Sequence, residues 1–150
     1  MILYLDASAL VKRYIAEPGS DEVAGAIAQA DMIGTAIVSR AEVAGALAKA
    51  VRADILTLEE ARAALQTFRA EWPDLIRLLV TETVVARADG LAGEYGLRGY
   101  DAVHLAAALL WQDAMGERVT LATFDLRLWT AAAQAGLIPY PANLPGILRR

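Results

Sequence analysis

Ile2-Leu3-Tyr4-Leu5 is an unbroken apolar run that stops abruptly at Asp6-Ala7-Ser8. A strand that is apolar on both sides of its alternation must be covered on both faces, which a parallel sheet between helices provides. Similar runs recur along the chain. Ile33 to Val38, Ile76 to Val80 and Val119 to Ala122 read as further strands, with Leu137-Ile138 as a short last one.

The stretches between these runs have helical spacing. Leu10, Val11 and Tyr14 follow the first run on one helical face, and Pro18-Gly19 breaks the chain. Ser20 reads as the cap of the next helix, with Asp21 and Glu22 favourable at its positive end. Ser39 reads as the cap of a helix reaching about Arg52. Thr57 and Glu60 have capping-box spacing, and Leu58, Ala61, Leu65, Phe68 and Trp72 share the face that follows, up to Pro73. Trp111 and Trp129 also fall at helical positions and read as core. Further helices are expected from about Thr83 to Tyr95, from Tyr100 or Asp101 after Gly96 and Gly99, and from Leu126 to Ala135, with Gly136 as a stop. This alternation predicts one three-layer α/β/α domain over residues 1–150, with a mostly parallel sheet of about five strands.

In such sheets, sites form beyond the carboxyl ends of the strands. Asp6 and Asp125 each follow a strand there, while Glu42 and Asp101 stand near the starts of alanine-rich helices. Each has an ordinary local role: Asp6 and Asp125 as helix N-caps, Glu42 as partner of Ser39 in a capping box, Asp101 as an acid at a helix entrance. Gathered together, the four would make a pocket of carboxylate oxygens that is costly unless hard divalent cations occupy it. That pattern points to metal-dependent phosphodiester chemistry. Ser8 and Thr123 stand beside it as hydroxyls, Thr123 able to orient a carboxylate or a metal-bound water, Ser8 more ordinarily a cap. His104, the only histidine, lies three positions after Asp101 and reads as a packed side chain bonded to backbone or carboxylate. The lack of a nucleophile elbow argues against a Ser-His-Asp hydrolase.

Bulk properties narrow the class further. No apolar run approaches the roughly 18–20 residues that span a bilayer, and the N-terminus lacks a basic segment of the signal-peptide type. The absence of cysteine excludes disulfides and thiolate metal sites and suits a reducing cytoplasm, the expected location. A net charge of −4 argues against a protein that coats nucleic acid. It leaves room for a nuclease, because bound cations reverse the field of an acidic pocket. Lys12, Arg13, Arg40, Arg98 and Arg127 lie within a few positions of the acids and could hold phosphates.

With the acids placed, the chain resembles the PIN-domain ribonucleases, and among them the VapC-like toxins of toxin–antitoxin pairs. The resemblance rests on Tyr4-Leu5-Asp6-Ala7-Ser8-Ala9-Leu10-Val11-Lys12, the segment Ser39 to Leu47, Tyr100-Asp101-Ala102-Val103-His104-Leu105-Ala106-Ala107-Ala108, and Ala122-Thr123-Phe124-Asp125. It implies that Asp6, Glu42, Asp101 and Asp125 form the acidic motif, with Thr123 as the hydroxyl before the last acid. It implies Mg²⁺ or Mn²⁺ as cofactor, RNA as substrate, a small antitoxin protein as partner and a homodimer. Asp6 and Asp101 are assigned as direct ligands. Glu42 and Asp125 are left to a second ion, to water-mediated binding or to activating the nucleophile. The tail from Pro139 to Arg150 matches no functional motif. Two other readings stay open: a non-catalytic PIN-like protein-interaction module, and an Asp-dependent phosphatase, although Asp6-Ala7-Ser8 lacks that chemistry's second nearby Asp.

Overall fold

The computed structural model describes residues 1–150. Its centre is a five-stranded sheet, every pairing parallel, in the order β3-β2-β1-β4-β5. The strands are β1 (Ile2–Leu5), β2 (Met32–Ala36), β3 (Ile76–Leu78), β4 (Val119–Ala122) and β5 (Ile138–Tyr140). The helices are α1 (Ala7–Leu10), α2 (Ser20–Gln29), α3 (Ser39–Arg52), α4 (Leu58–Glu71), α5 (Glu82–Tyr95), α6 (Gly99–Met115), α7 (Leu126–Ala135) and α8 (Leu144–Leu148).

The apolar run that opens the chain explains the layering. Ile2 and Tyr4 point into one core with α5, α6 and α7, while Leu3 and Leu5 point into another with α1, α2, α3 and α4. Burying each such leucine contributes about 1.5–3 kcal/mol, and Leu5→Ala would cost about 2–5 kcal/mol. On the α6 face the helix approaches the sheet closely because it presents Ala102, Ala106, Ala107 and Ala108. Gly34 of β2 completes that approach: a Cβ there would stand 2.8 Å from Cη2 of Trp111.

From β1 the chain moves outward through β2 and β3, then returns to the other side of β1 as β4 and β5. The carboxyl ends of β1 and β4 therefore flank the point where strand order reverses, where open α/β sheets form their crevice. Leu5 pairs with Ala122, so Asp6 and Thr123 follow side by side.

Several expected boundaries shift. β2 and β3 end at Ala36 and Leu78, before Val38 and Val80, and β5 starts one residue late and runs to Tyr140. The helix after Asp6 is a single α-turn continued by a 3₁₀ turn, Val11–Arg13. The helix near Thr83 begins at Glu82 with Thr81 as its cap, and α6 begins at Gly99. Ser20 is not the cap of α2: Gly19 holds that position, and the Ser20 hydroxyl accepts from Glu17 N–H and donates to the Ile15 carbonyl. Ser39 does not cap α3 either. Val38 before it is already helical, and the buried Ser39 hydroxyl shares a 2.7 Å hydrogen bond with Thr35 Oγ1. The Thr57–Glu60 capping box is present with both bonds at 3.0 Å, and Gly136 ends α7 with φ +97°. Phe68, Trp72 and Trp111 are core, Trp129 is half-buried, and Leu58 is exposed at the start of α4. No helix is long and apolar enough to cross a membrane.

Candidate active site

Asp6 is both a cap and a cleft residue, because its carboxylate has two oxygens to divide. Oδ1 accepts from Ala9 N–H at 3.0 Å, starting α1, and from Ser8 Oγ at 2.7 Å. Oδ2 accepts from Thr123 Oγ1 at 2.6 Å. The residue is 3 % exposed. Burial pushes its pKa above the ordinary carboxylate range, against the charge of His104 and the hydrogen bonds from Thr123, Ser8 and Ala9.

Thr123 ties two acids together. Its buried hydroxyl donates to Asp6 and accepts from Asp125 N–H at 3.1 Å. Ser8 performs a parallel role by accepting from Phe124 N–H at 2.9 Å. The turn after β4 is thus stitched onto the turn after β1. Asp125 uses Oδ1 to cap α7 through Leu128 N–H at 2.9 Å, leaving Oδ2 toward the cleft.

Glu42 reaches the same cleft from the first turn of α3, and His104 fixes it there. His104 Nε2 donates to Glu42 Oε1 at 2.7 Å, while Nδ1 shares a 2.6 Å hydrogen bond with the Tyr4 hydroxyl. Burial alone would lower the imidazole pKa. The bond to Glu42 and the charges of Asp6, Glu42 and Asp101 outweigh it and hold the value above the ordinary one. The expected packed histidine bonded to a carboxylate is the arrangement found. Tyr4 is pushed well up, by burial first and by the charge of Asp6, so its hydroxyl keeps its proton.

Asp101 stands in the first turn of α6, where Arg98 Nε donates to its Oδ2 at 3.0 Å. Arg98 Nη2 donates to Asp125 Oδ2, also at 3.0 Å. Asp6, Glu42, Asp101 and Asp125 therefore line one cleft of about 270 Å³ together with Ser8, Arg98 and His104. Of the five basic residues near the acids, only Arg98 belongs to it. Lys12 pairs with Glu17, Arg13 pairs with Glu71, and Arg40 and Arg127 are exposed elsewhere.

Residues 3–133 match the PIN domain family. This chain belongs to that family. It is 37 % identical over 144 residues to each of two Mycobacterium tuberculosis proteins, Ribonuclease VapC45 and Ribonuclease VapC49, over 95 % of this chain and 97 % of each relative. Among solved structures, a toxin–antitoxin complex from Klebsiella pneumoniae contains a chain that superposes with a TM-score of 0.64 at 20 % identity, covering 93 % of this chain and 98 % of that one. That likeness shows the same fold.

The donor set of this PIN domain fits a hard divalent ion. Its ligand candidates are carboxylate and hydroxyl oxygens, the preference of Mg²⁺ and Mn²⁺, and no sulfur is present. No three Asp, Glu or His side chains stand close enough to close on an ion unaided. The choice of Glu42 as the acid that His104 bonds, the role of Tyr4 and the bridging by Arg98 were missed in the sequence. Only the three-residue spacing of Arg98 and Asp101 gave a local signal for any of them.

Proposed function

We propose that this PIN domain is a divalent-metal-dependent endoribonuclease, the toxin of a toxin–antitoxin pair. The observation that carries the reading is the arrival of Asp6, Glu42, Asp101 and Asp125, from four separate elements, in one cleft at the sheet's switch point. The identity to two proteins named ribonucleases supports RNA as the substrate. Asp6 and Asp101 would hold Mg²⁺, or Mn²⁺ in its place. Glu42 and Asp125 would serve a second ion, bind through water or activate the attacking water. An ion held there would supply a water of lowered pKa and neutralise charge gathering at the phosphate.

The chain's own side chains prepare that event. Ser8 and Thr123 hold the Asp6 carboxylate at both of its oxygens, so its orientation is fixed before any ligand arrives. His104 keeps Glu42 aimed by donating to it from a buried position. Thr123 sets the turn that carries Asp125. The same reading gives the protein an antitoxin partner, a homodimeric state and a cytoplasmic place of action.

The decisive experiment is RNA cleavage by the purified protein. Cleavage should require Mg²⁺ or Mn²⁺, stop with chelator, and be lost in Asp6→Asn. Undiminished cleavage by that variant would overturn the assignment. Full biological effect with Asp6 and Asp101 both neutralised would favour a non-catalytic interaction module.

A further inference from the structure

The cleft holds acids from four elements, yet only one lysine or arginine lines it, Arg98. Its guanidinium takes a particular pair of atoms. Asp125 Oδ1 is committed to the N-terminus of α7, so the oxygen left for a ligand is Oδ2, the atom that Arg98 Nη2 holds at 3.0 Å. Asp101 offers Oδ2 to Arg98 Nε, also at 3.0 Å. A cation entering beside these acids meets one already there.

Arg98 is also free to leave. It is the N-cap residue of α6, with extended backbone and no capping bond from its side chain, and that side chain is 72 % exposed. Its partners are more enclosed, Asp101 at 14 % and Asp125 at 26 %. Releasing Arg98 therefore breaks two ion pairs and moves a side chain that is mostly in solvent. Pairs with a solvent-screened partner of this kind are weakly held, whereas a divalent ion brings twice the charge. A freed guanidinium beside the acids presents a planar fork that matches two phosphate oxygens.

Building on the metal-dependent ribonuclease reading, we propose that Arg98 is a displaceable counter-cation of the acid cleft. It competes with the divalent ion for Asp101 and Asp125, and once released it binds an RNA phosphate at the cleft mouth. By linkage, the ion weakens Arg98's hold on the acids as much as Arg98 weakens the ion's. Ion binding and substrate grip are then coupled through one side chain, which makes Arg98 a substrate-binding residue whose availability the ion controls.

Calorimetric titration of the RNA-free protein with Mn²⁺ and with Mg²⁺ tests the first half. Arg98→Gln should bind the ion about three- to tenfold more tightly than wild type, with Arg98→Lys between them. Asp6→Asn, the control for the site, should lose binding. At saturating ion, Arg98→Gln should raise KM for RNA more than it lowers kcat, because the lost contact is to substrate. Equal or weaker ion binding by Arg98→Gln, with wild type binding normally and Asp6→Asn not, overturns the competition and leaves the ribonuclease reading standing. An unchanged KM overturns the phosphate contact. Failure of wild type to bind either ion overturns the metal reading and the competition with it. Circular dichroism melts of each variant establish that an altered affinity comes from a folded protein.

Discussion

The Asp6 side of the cleft and the Arg98 side hold their carboxylates by opposite means. Asp6 is 3 % exposed and is gripped by neutral donors: two hydroxyls and one backbone N–H. Asp101 and Asp125 are partly open to solvent, and a charged guanidinium spans them. Neutral donors fix direction without fully cancelling charge, so the buried acid keeps a raised pKa. A charged fork supplies compensation but little fixity, because its own stem is exposed. One half of the site is thus set by geometry and the other by charge, and only the second can readily change its partners.

The largest expected effect lies on the buried side. Asp6→Asn should reduce cleavage by about 10³-fold or more, the equivalent of several kcal/mol of lost metal-assisted stabilisation. Its effect on stability should run the other way. A carboxyl whose folded pKa is raised contributes stability that is fully present below the unfolded pKa and lost as pH rises through the folded pKa. Wild type should therefore lose stability relative to Asp6→Asn as pH rises through that window, measured by thermal melts in chelator. At neutral pH the variant should melt at or above wild type, and acidification should erase its advantage. A variant less stable at neutral pH than at acid pH, relative to wild type, would break the contrast between the halves.

Thr123→Val should come next. It removes a buried donor to Asp6 and the acceptor for Asp125 N–H while keeping the side-chain shape. Two lost hydrogen bonds should cost about 2–3 kcal/mol of stability, and cleavage should fall about tenfold as both carboxylates lose direction. Denaturant titration and initial rates measure the two effects, and an unaltered rate would show that Thr123 only stabilises the turn. Tyr4→Phe should be milder, about 1–2 kcal/mol, because it leaves one buried ring nitrogen of His104 without its partner.

The same contrast separates what could be read from the sequence. Asp6 and Asp125 were visible as caps and as site candidates; the cap reading holds for both, and the structure brings both to one cleft, where Asp6 Oδ2 accepts from Thr123 and Asp125 Oδ2 accepts from Arg98. The strand ends that position them follow from apolar runs, whose burial dominates local propensity. Glu42 misled at the local level. Ser39-to-Glu42 spacing is that of a capping box, but Thr35 claims the Ser39 hydroxyl and His104, 62 positions away, claims the carboxylate. Arg98's bond to Asp101 lies within a helical turn, while its bond to Asp125 spans 27 positions and depends on how α6 meets the β4–α7 turn. Long-range polar pairs leave no period in the sequence. The pattern of burial does.

The smallest effect is the one that tests the charged half directly. Arg98→Gln should change stability only slightly, since the side chain is 72 % exposed and solvent screens its pairs. The sign should depend on salt. At low ionic strength, removing Arg98 leaves Asp101 and Asp125 facing each other uncompensated, so the variant should melt below wild type. At about 1 M monovalent salt the Debye length falls to about 3 Å, and the difference should shrink toward zero. Thr123→Val supplies the comparison, because its lost bonds are buried and uncharged on the donor side, and its deficit should persist across the same salt range. Melts of the two variants beside wild type, at low and high salt with chelator present, measure this. A salt-independent deficit for Arg98→Gln would mean that the guanidinium holds its acids by packing and geometry, as the Asp6 side does, and would remove the distinction between the two halves of the cleft.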